Sequence, residues 1–252
     1  SGINHARWMF CSCVLTENGA VVENSRGQPR TRSLMIPREA VELVDTWDVA
    51  GLEGTGSHDF VVTDVFVPEE RTFFLGDAPV ESGPIFNPRL SIVAAWTTTA
   101  AVSLGIARGA LDTFAELSAE RGTTGSAVAL RNRPAVQKSV GQAEAIVGAA
   151  RAYLRQSVGE AYDMVAGGAE GETLSPSIAR ARLAITHAQH EAVRAVDILF
   201  HAAGTNAVYR RHRLEQCFRD AHVAMQHAAG QPAHIETAGK VLLGADLNVA
   251  GW

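Results

Sequence analysis

The sequence predicts an α+β chain in which a small β-barrel or sandwich segment precedes a C-terminal four-helix bundle. Two compositional facts carry this. Residues 1–88 hold six of the nine prolines and only 5 alanines, whereas residues 89–252 hold three prolines and 36 alanines. Alanine is the strongest helix former and proline the strongest breaker, so the change marks a boundary, with a β-domain over 1–85 and a helical domain over 86–252. A third fact is size: 252 residues that are 46% hydrophobic suffice for a sizeable core.

Residues 8–15 (Trp-Met-Phe-Cys-Ser-Cys-Val-Leu) read as the first strand, and Glu17-Asn18-Gly19 offers a turn after it. Short strands follow at 33–37, 41–44 and 59–68, separated by a Gly-rich loop over 51–57. Such short strands with turn signals between them suit a small barrel or sandwich. The first long helix is expected from residue 89 to about 120. The second opens at Pro134, a residue suited to the first helical turn, and reaches about 166 before Gly167-Gly168. The third starts at Ser175-Pro176, with Ser as cap, and stops at Gly204. A fourth is expected over 214–229, and a shorter one after Pro232. Long helices with alanine seams are what close bundle packing needs.

Composition excludes several function classes. With 22 Lys plus Arg against 27 Asp plus Glu the net charge is −5, and basic clusters that would neutralise nucleic-acid phosphates are missing. No apolar run is read as long enough to span a membrane, and no secretory leader is visible, so a cytoplasmic location is expected. Cys11, Cys13 and Cys217 make no disulfide framework and have no zinc spacing. Cys11 and Cys13 read as small buried residues on one side of a strand.

Seven of the nine histidines fall between His187 and His234. A metal site fails on spacing, because there is no HExxH and no third ligand near His187 and His190. Surface or hydrogen-bonded core roles suit most of these rings. Arg219-Asp220, followed by His222 and His227, puts a charged pair at one end of a helix and an imidazole about two turns on. An Arg–Asp pair that fixes a loop is the plainer reading. The loop Gly51-Leu52-Glu53-Gly54-Thr55-Gly56-Ser57 lacks the order of a phosphate-binding loop.

The series as a whole resembles a known family. Trp47-x3-Gly51-x2-Gly54-Thr55-Gly56-Ser57-His58-Asp59 followed by Val65-Phe66-Val67-Pro68-Glu69 resembles the middle β-domain of the acyl-CoA dehydrogenase superfamily. More closely it resembles the branch of reduced-flavin-dependent, two-component aromatic monooxygenases. Ser1-Gly2-x2-His5-Ala6-x-Trp8, Arg121-Gly122 with Gln137, Leu199-Phe200-x2-Ala203-Gly204 and Arg219-Asp220-x6-His227 complete the series. The family begins with a helical domain and a first group of strands, roughly 130–150 residues by ordinary domain size, that this sequence does not contain. The β-domain is therefore expected to be incomplete at its N-terminus.

The resemblance implies an oxygenase component that hydroxylates a phenolic or polycyclic aromatic substrate through a flavin C4a-hydroperoxide. Reduced FMN or FAD would come from a separate flavin reductase, and the assembly would be a homotetramer. It also implies roles. Ser1 would sit near flavin N5, Trp47 would wall the flavin or substrate pocket, and Arg121 would neutralise flavin phosphate. Gln137 belongs to the flavin-contacting helix pair, and Thr205 and Asn206 would reach a neighbouring subunit's cofactor. His227 would take the phenol proton, on the helix after Arg219-Asp220, with His222 as the second choice. The dehydrogenase branch instead needs a catalytic Glu. His227-Ala228-Ala229-Gly230 stands at one family position for it and Pro88-Arg89 at the other. An FAD-dependent acyl-CoA dehydrogenase-like oxidoreductase and a non-catalytic fragment of either enzyme remain the alternatives.

Overall fold

The computed structural model describes residues 2–25, 27–75, 77–120 and 128–245. It divides into two compact units, one of residues 1–49 with 53–80, the other of residues 50–52 with 81–252.

The first unit is built from short antiparallel strands. β1 (Trp8–Val14) pairs along its whole length with β4 (Thr31–Pro37), from Trp8 opposite Pro37 to Val14 opposite Thr31, and β7 (Thr72–Phe73) adds to the other edge of β4. β2 (Thr16–Glu17) and β3 (Ala20–Val21) form a hairpin. Its two-residue turn takes φ 51° at Asn18 and 82° at Gly19, the left-handed geometry that Asn-Gly adopts at least cost. β5 (Glu42–Val44) pairs with β6 (Asp59–Val61). The strand expected over 59–68 thus ends at Val61. Asp64 beyond it has φ 51°, which no strand accommodates. Cys13 is exposed and Cys11 half-buried, so the expectation of two buried thiols fails. Burial and the neighbouring Cys13 push the Cys11 thiol up to about 11.

The second unit is helical: α1 (Pro88–Glu120), α2 (Pro134–Ala166), α3 (Ser175–Ala203), α4 (Arg213–Met225) and α5 (Ala233–Leu242). In α1 the fully buried residues Val93, Ala100, Ala107 and Phe114 recur every seven positions, with Leu104 and Leu111 between them. That is the seam of a bundle helix. α3 is the central element and packs against all four other helices. Ile178, Ala181, Ile185, Ala188, Ala192, Val196 and Leu199 are all buried along it. The helix starts at Ser175 itself, so Ser175 does not cap it; its Oγ accepts from Arg89 Nη2 at 3.0 Å. One further expectation is corrected: residues 88–119 are long and apolar enough to cross a membrane, with a mean hydropathy of 1.6 in the richest stretch. The same helix lines the bundle core, a demand that selects the same residue types.

Candidate active site

The site begins where α4 ends. Leu214, Cys217, Ala221 and Ala224 bury one face of this helix at spacings of three and four. The helix stops at Met225, four residues short of the expected end, so His227 is not helical. It has φ −57° and ψ 148° and opens a 3-10 turn over Ala228–Gly230. Its own ring enforces the change of direction, because His227 Nδ1 accepts the Ala229 N–H at 3.1 Å. A side chain that captures a backbone N–H two residues on competes with helix continuation.

All three carbonyls of that turn are held by side chains. His234 Nε2 donates to Ala228 C=O at 2.9 Å, Thr186 Oγ1 to Ala229 C=O at 2.8 Å, and His190 Nε2 to Gly230 C=O at 2.8 Å. Thr186 and His190 are one helical turn apart on α3, and His234 lies in the first turn of α5. Burial pushes His234 below the usual imidazole value; its bond to Ala228 C=O works the other way and the Arg182 charge adds to the lowering. At neutral pH it is therefore an uncharged N–H donor. Its ring meets Trp96 at 4.8 Å between centroids, and the buried Arg182 guanidinium sits 4.8 Å from the same indole. Burial, reinforced by Arg89, brings the Arg182 pKa down to about 10.

Gly230 must be glycine, since a Cβ there would strike the Met225 carbonyl oxygen and come within 3.2 Å of Gln189 Oε1. Gln189 is fully buried, and neither polar atom of its amide has a hydrogen-bond partner among the described residues. An unsatisfied buried amide costs about 1–3 kcal/mol. Gln189→Leu is therefore expected to raise the thermal midpoint by several degrees, as scanning calorimetry would show; an unchanged or lower midpoint would contradict this.

His222 is anchored differently. Its Nδ1 donates to Phe218 C=O at 2.8 Å, so its Nε2 is the exchangeable nitrogen, 3.4 Å from Asp197 Oδ1 on α3. Its ring lies against Phe218 (4.4 Å), which stacks on Phe200 (4.3 Å).

Arg219 and Asp220 do fix a loop. Arg219 Nη1 donates to Ala50 C=O at 2.5 Å, while Glu215 holds its Nε at 2.8 Å. Asp220 Oδ1 accepts the Leu52 N–H at 2.6 Å, with Leu52 at φ 54°. Between them, a Cβ on Gly51 would lie 2.6 Å from the carbonyl carbon and oxygen of Arg219. The glycine of the Trp47-x3-Gly51 motif and the Arg-Asp motif are thus two sides of one contact.

The other named residues are dispersed. Thr205 is exposed and Asn206 half-buried in a 3-10 turn over Gly204–Ala207, where Asn206 Nδ2 donates to Ala203 C=O at 3.2 Å. Gln137 is exposed in the first turn of α2, its Nε2 donating to Arg131 C=O at 3.0 Å. Trp47 belongs to the first unit and is half-buried; its backbone N–H donates to His58 Nδ1 at 3.3 Å. Ser1 and Arg121 lie outside the described residues. A groove of about 770 Å³ between α1 and α2, lined by Leu104, Gly105, Val147, Gly148 and Val158, includes none of the named residues.

Sequence reasoning missed Thr186, His190 and His234. The one available signal was the clustering of histidines itself. Read as metal spacing it leads nowhere, because His187 faces the Tyr153 ring while His190 binds a backbone carbonyl.

Helices packed around a central α3, with an ordered turn at the end of α4, suit the helical domain of an acyl-CoA dehydrogenase-like fold. The chain belongs to the family of the acyl-CoA dehydrogenase C-terminal domain, which it matches over residues 97–232. Among its relatives are oxygenase components. It is 33% identical over 246 residues to indole-3-acetate monooxygenase of Pseudomonas putida, covering 95% of this chain and 62% of that protein. It is 30% identical over 241 residues to the oxygenase subunit HsaA, a flavin-dependent monooxygenase of Mycobacterium tuberculosis, covering 92% and 59%. The crystal structure of 3-HSA hydroxylase from Rhodococcus sp. RHA1 superposes with a TM-score of 0.84 at 27% identity, covering all of this chain and 64% of that one. The chain thus spans about three fifths of the length of the relatives it matches.

Proposed function

We propose that this chain is part of the oxygenase component of a two-component flavin-dependent monooxygenase that hydroxylates a phenolic or other aromatic substrate. The observation that carries the reading is the residue at the turn after α4. The dehydrogenase branch is expected to place a carboxylate there to remove an α-proton; this chain places the imidazole of His227. The other family position for that carboxylate is Pro88-Arg89, and Arg89 is spent on Gly171 C=O and Ser175. The named relatives, a monooxygenase and the oxygenase subunit of a flavin-dependent monooxygenase, support the same choice.

The donor set of the helical unit suits a flavin. Gln137, Thr205 and Asn206 are accessible, neutral hydrogen-bonding groups of the kind that pair with the polar rim of a flavin ring or its ribityl chain. In this reading Ser1 and Trp47 contribute from the β-domain and Arg121 supplies positive charge for phosphate. When bound, reduced FMN or FAD supplies the two electrons with which one atom of O₂ enters the substrate and the other leaves as water. The protein's share is to exclude water, orient the substrate and handle a proton. His227 is the imidazole beside the substrate oxygen, and His222 the second proton-handling group. The partner is a separate flavin reductase, in keeping with the description of HsaA as an oxygenase subunit, and we infer a cytoplasmic location for the protein. We also infer a homotetramer; exposed apolar residues on the bundle such as Val102 and Tyr162 favour association.

An enzyme that receives reduced flavin and returns oxidised flavin must prefer the former. Anaerobic equilibrium titrations are expected to show reduced FMN or FAD binding at least about tenfold more tightly than the oxidised form, a difference of ~1.4 kcal/mol. Equal affinities, or reduction of bound flavin by an acyl thioester, would overturn the proposal.

A further inference from the structure

We infer that Thr186, His190 and His234 are positioning residues that lock the tautomer of His227, making its neutral ring a hydrogen-bond donor at Nε2 rather than a proton acceptor. This rests on the assignment of His227 to the substrate side of the site, but its geometry is independent of that assignment. The Ala229 N–H points at His227 Nδ1 from 3.1 Å. An N–H donor facing a ring nitrogen requires a lone pair there, so the proton of the neutral ring must reside on Nε2. Placing it on Nδ1 would set two N–H groups against each other.

The lock holds only while the turn cannot rotate its peptide planes. A free 3-10 turn exchanges easily, since its hydrogen bonds are poor. Here Ala228, Ala229 and Gly230 each have their carbonyl fixed by a separate side chain, from two different helices. The bond from His234 to Ala228 C=O fixes the peptide plane that carries the capping Ala229 N–H, and the bond from Thr186 to Ala229 C=O fixes the next plane, so that the two together immobilise Ala229. Thr186 is fully buried and its hydroxyl also reaches Arg182 C=O at 3.3 Å, so it cannot rotate away into water.

The consequence for the reaction is a change of role. A donor at Nε2 favours the phenolate form of a bound phenol, because hydrogen bonding to a charged form stabilises it. Ring attack is faster on the phenolate, so His227 would assist without itself taking the proton. That proton would leave to a different acceptor; His222, whose Nδ1–H is tied to Phe218 C=O, offers Nε2 for it.

The test is spectroscopic and needs no flavin. The protein carrying this chain is labelled with ¹⁵N-histidine and its ring nitrogens are read by long-range ¹H–¹⁵N correlation where the rings are neutral. His227 is assigned by the signals lost in His227→Gln. The expected result is an unprotonated Nδ1 and a protonated Nε2, with the minor tautomer below about a tenth, the bias that one added hydrogen bond confers. Thr186→Val is expected to relax the ratio several-fold toward that of a free ring, and Thr186→Ser to restore it. His190→Leu combined with Thr186→Val should relax it further; should that pair not fold, the Thr186 variants decide alone. A wild-type ring protonated at Nδ1, or a Thr186→Val ratio equal to that of the parent, would overturn the proposal. Loss of the preference for reduced flavin would instead count against the functional reading and leave the tautomer result standing.

Discussion

His227→Ala is expected to abolish hydroxylation while oxygen uptake continues, with hydrogen peroxide released in place of product. The His227 ring stands on a turn fixed at three consecutive carbonyls by side chains. Preorganised donors of this kind matter most when charge develops opposite them, and removal of one typically costs about 10²–10³ in rate. His227→Gln, which keeps an N–H but loses the ring geometry, should fall between the parent and Ala. His222→Ala should have the smaller effect, since its Nε2 lies over a half-exposed carboxylate. Product yield per oxygen consumed, with reduced flavin supplied, separates these outcomes. Parent-like yield in His227→Ala would remove this residue from the chemistry; parent-like yield in both variants would remove the histidines altogether.

Gly51→Ala is expected to lower the stability of the fold sharply. Its Cβ would lie 2.6 Å from the Arg219 carbonyl carbon and oxygen and 2.9 Å from the Asp220 nitrogen, all of them backbone atoms of α4 that cannot rotate aside. The segment carrying Ala50 and Leu52 would have to withdraw, and with it the bonds from Arg219 and to Asp220. Such overpacking costs about 1–3 kcal/mol before the lost hydrogen bonds are counted. For a chain of this size that lowers the thermal midpoint by roughly 2–4 °C per kcal/mol. Gly54→Ala is the control, because a Cβ there meets no atom within 4 Å. Equal midpoints for the two variants in scanning calorimetry would contradict the account.

The fold was legible where local chemistry and tertiary demand agree. Pro134 opens α2 and Gly204 ends α3 because backbone geometry at these residues is set by the residue itself. Asn18-Gly19 gives its hairpin for the same reason. Legibility failed where a distant partner decides. Nothing near Met225 in sequence announces that α4 stops there; the cause is a ring capturing a backbone N–H and three side chains, two from α3 and one from α5, capturing carbonyls. The apolar pattern through Ala228 and Ala229 reads as helix until those contacts are known. For the site, the Arg219-Asp220 pair was readable as a loop clamp, but which loop it holds depends on a contact across about 170 positions. The histidine cluster was visible as composition; its purpose, N–H donors to one turn, was not.

Isotope incorporation tests the central claim most directly. The protein carrying this chain, supplied with reduced flavin, ¹⁸O₂ and a panel of phenols and indoles, should yield a product with a single ¹⁸O atom, read by mass spectrometry. That yield should fall by at least about a hundredfold in His227→Ala. Product oxygen derived from water, or flavin turned over by an acyl thioester with no oxygen transferred, would contradict the assignment.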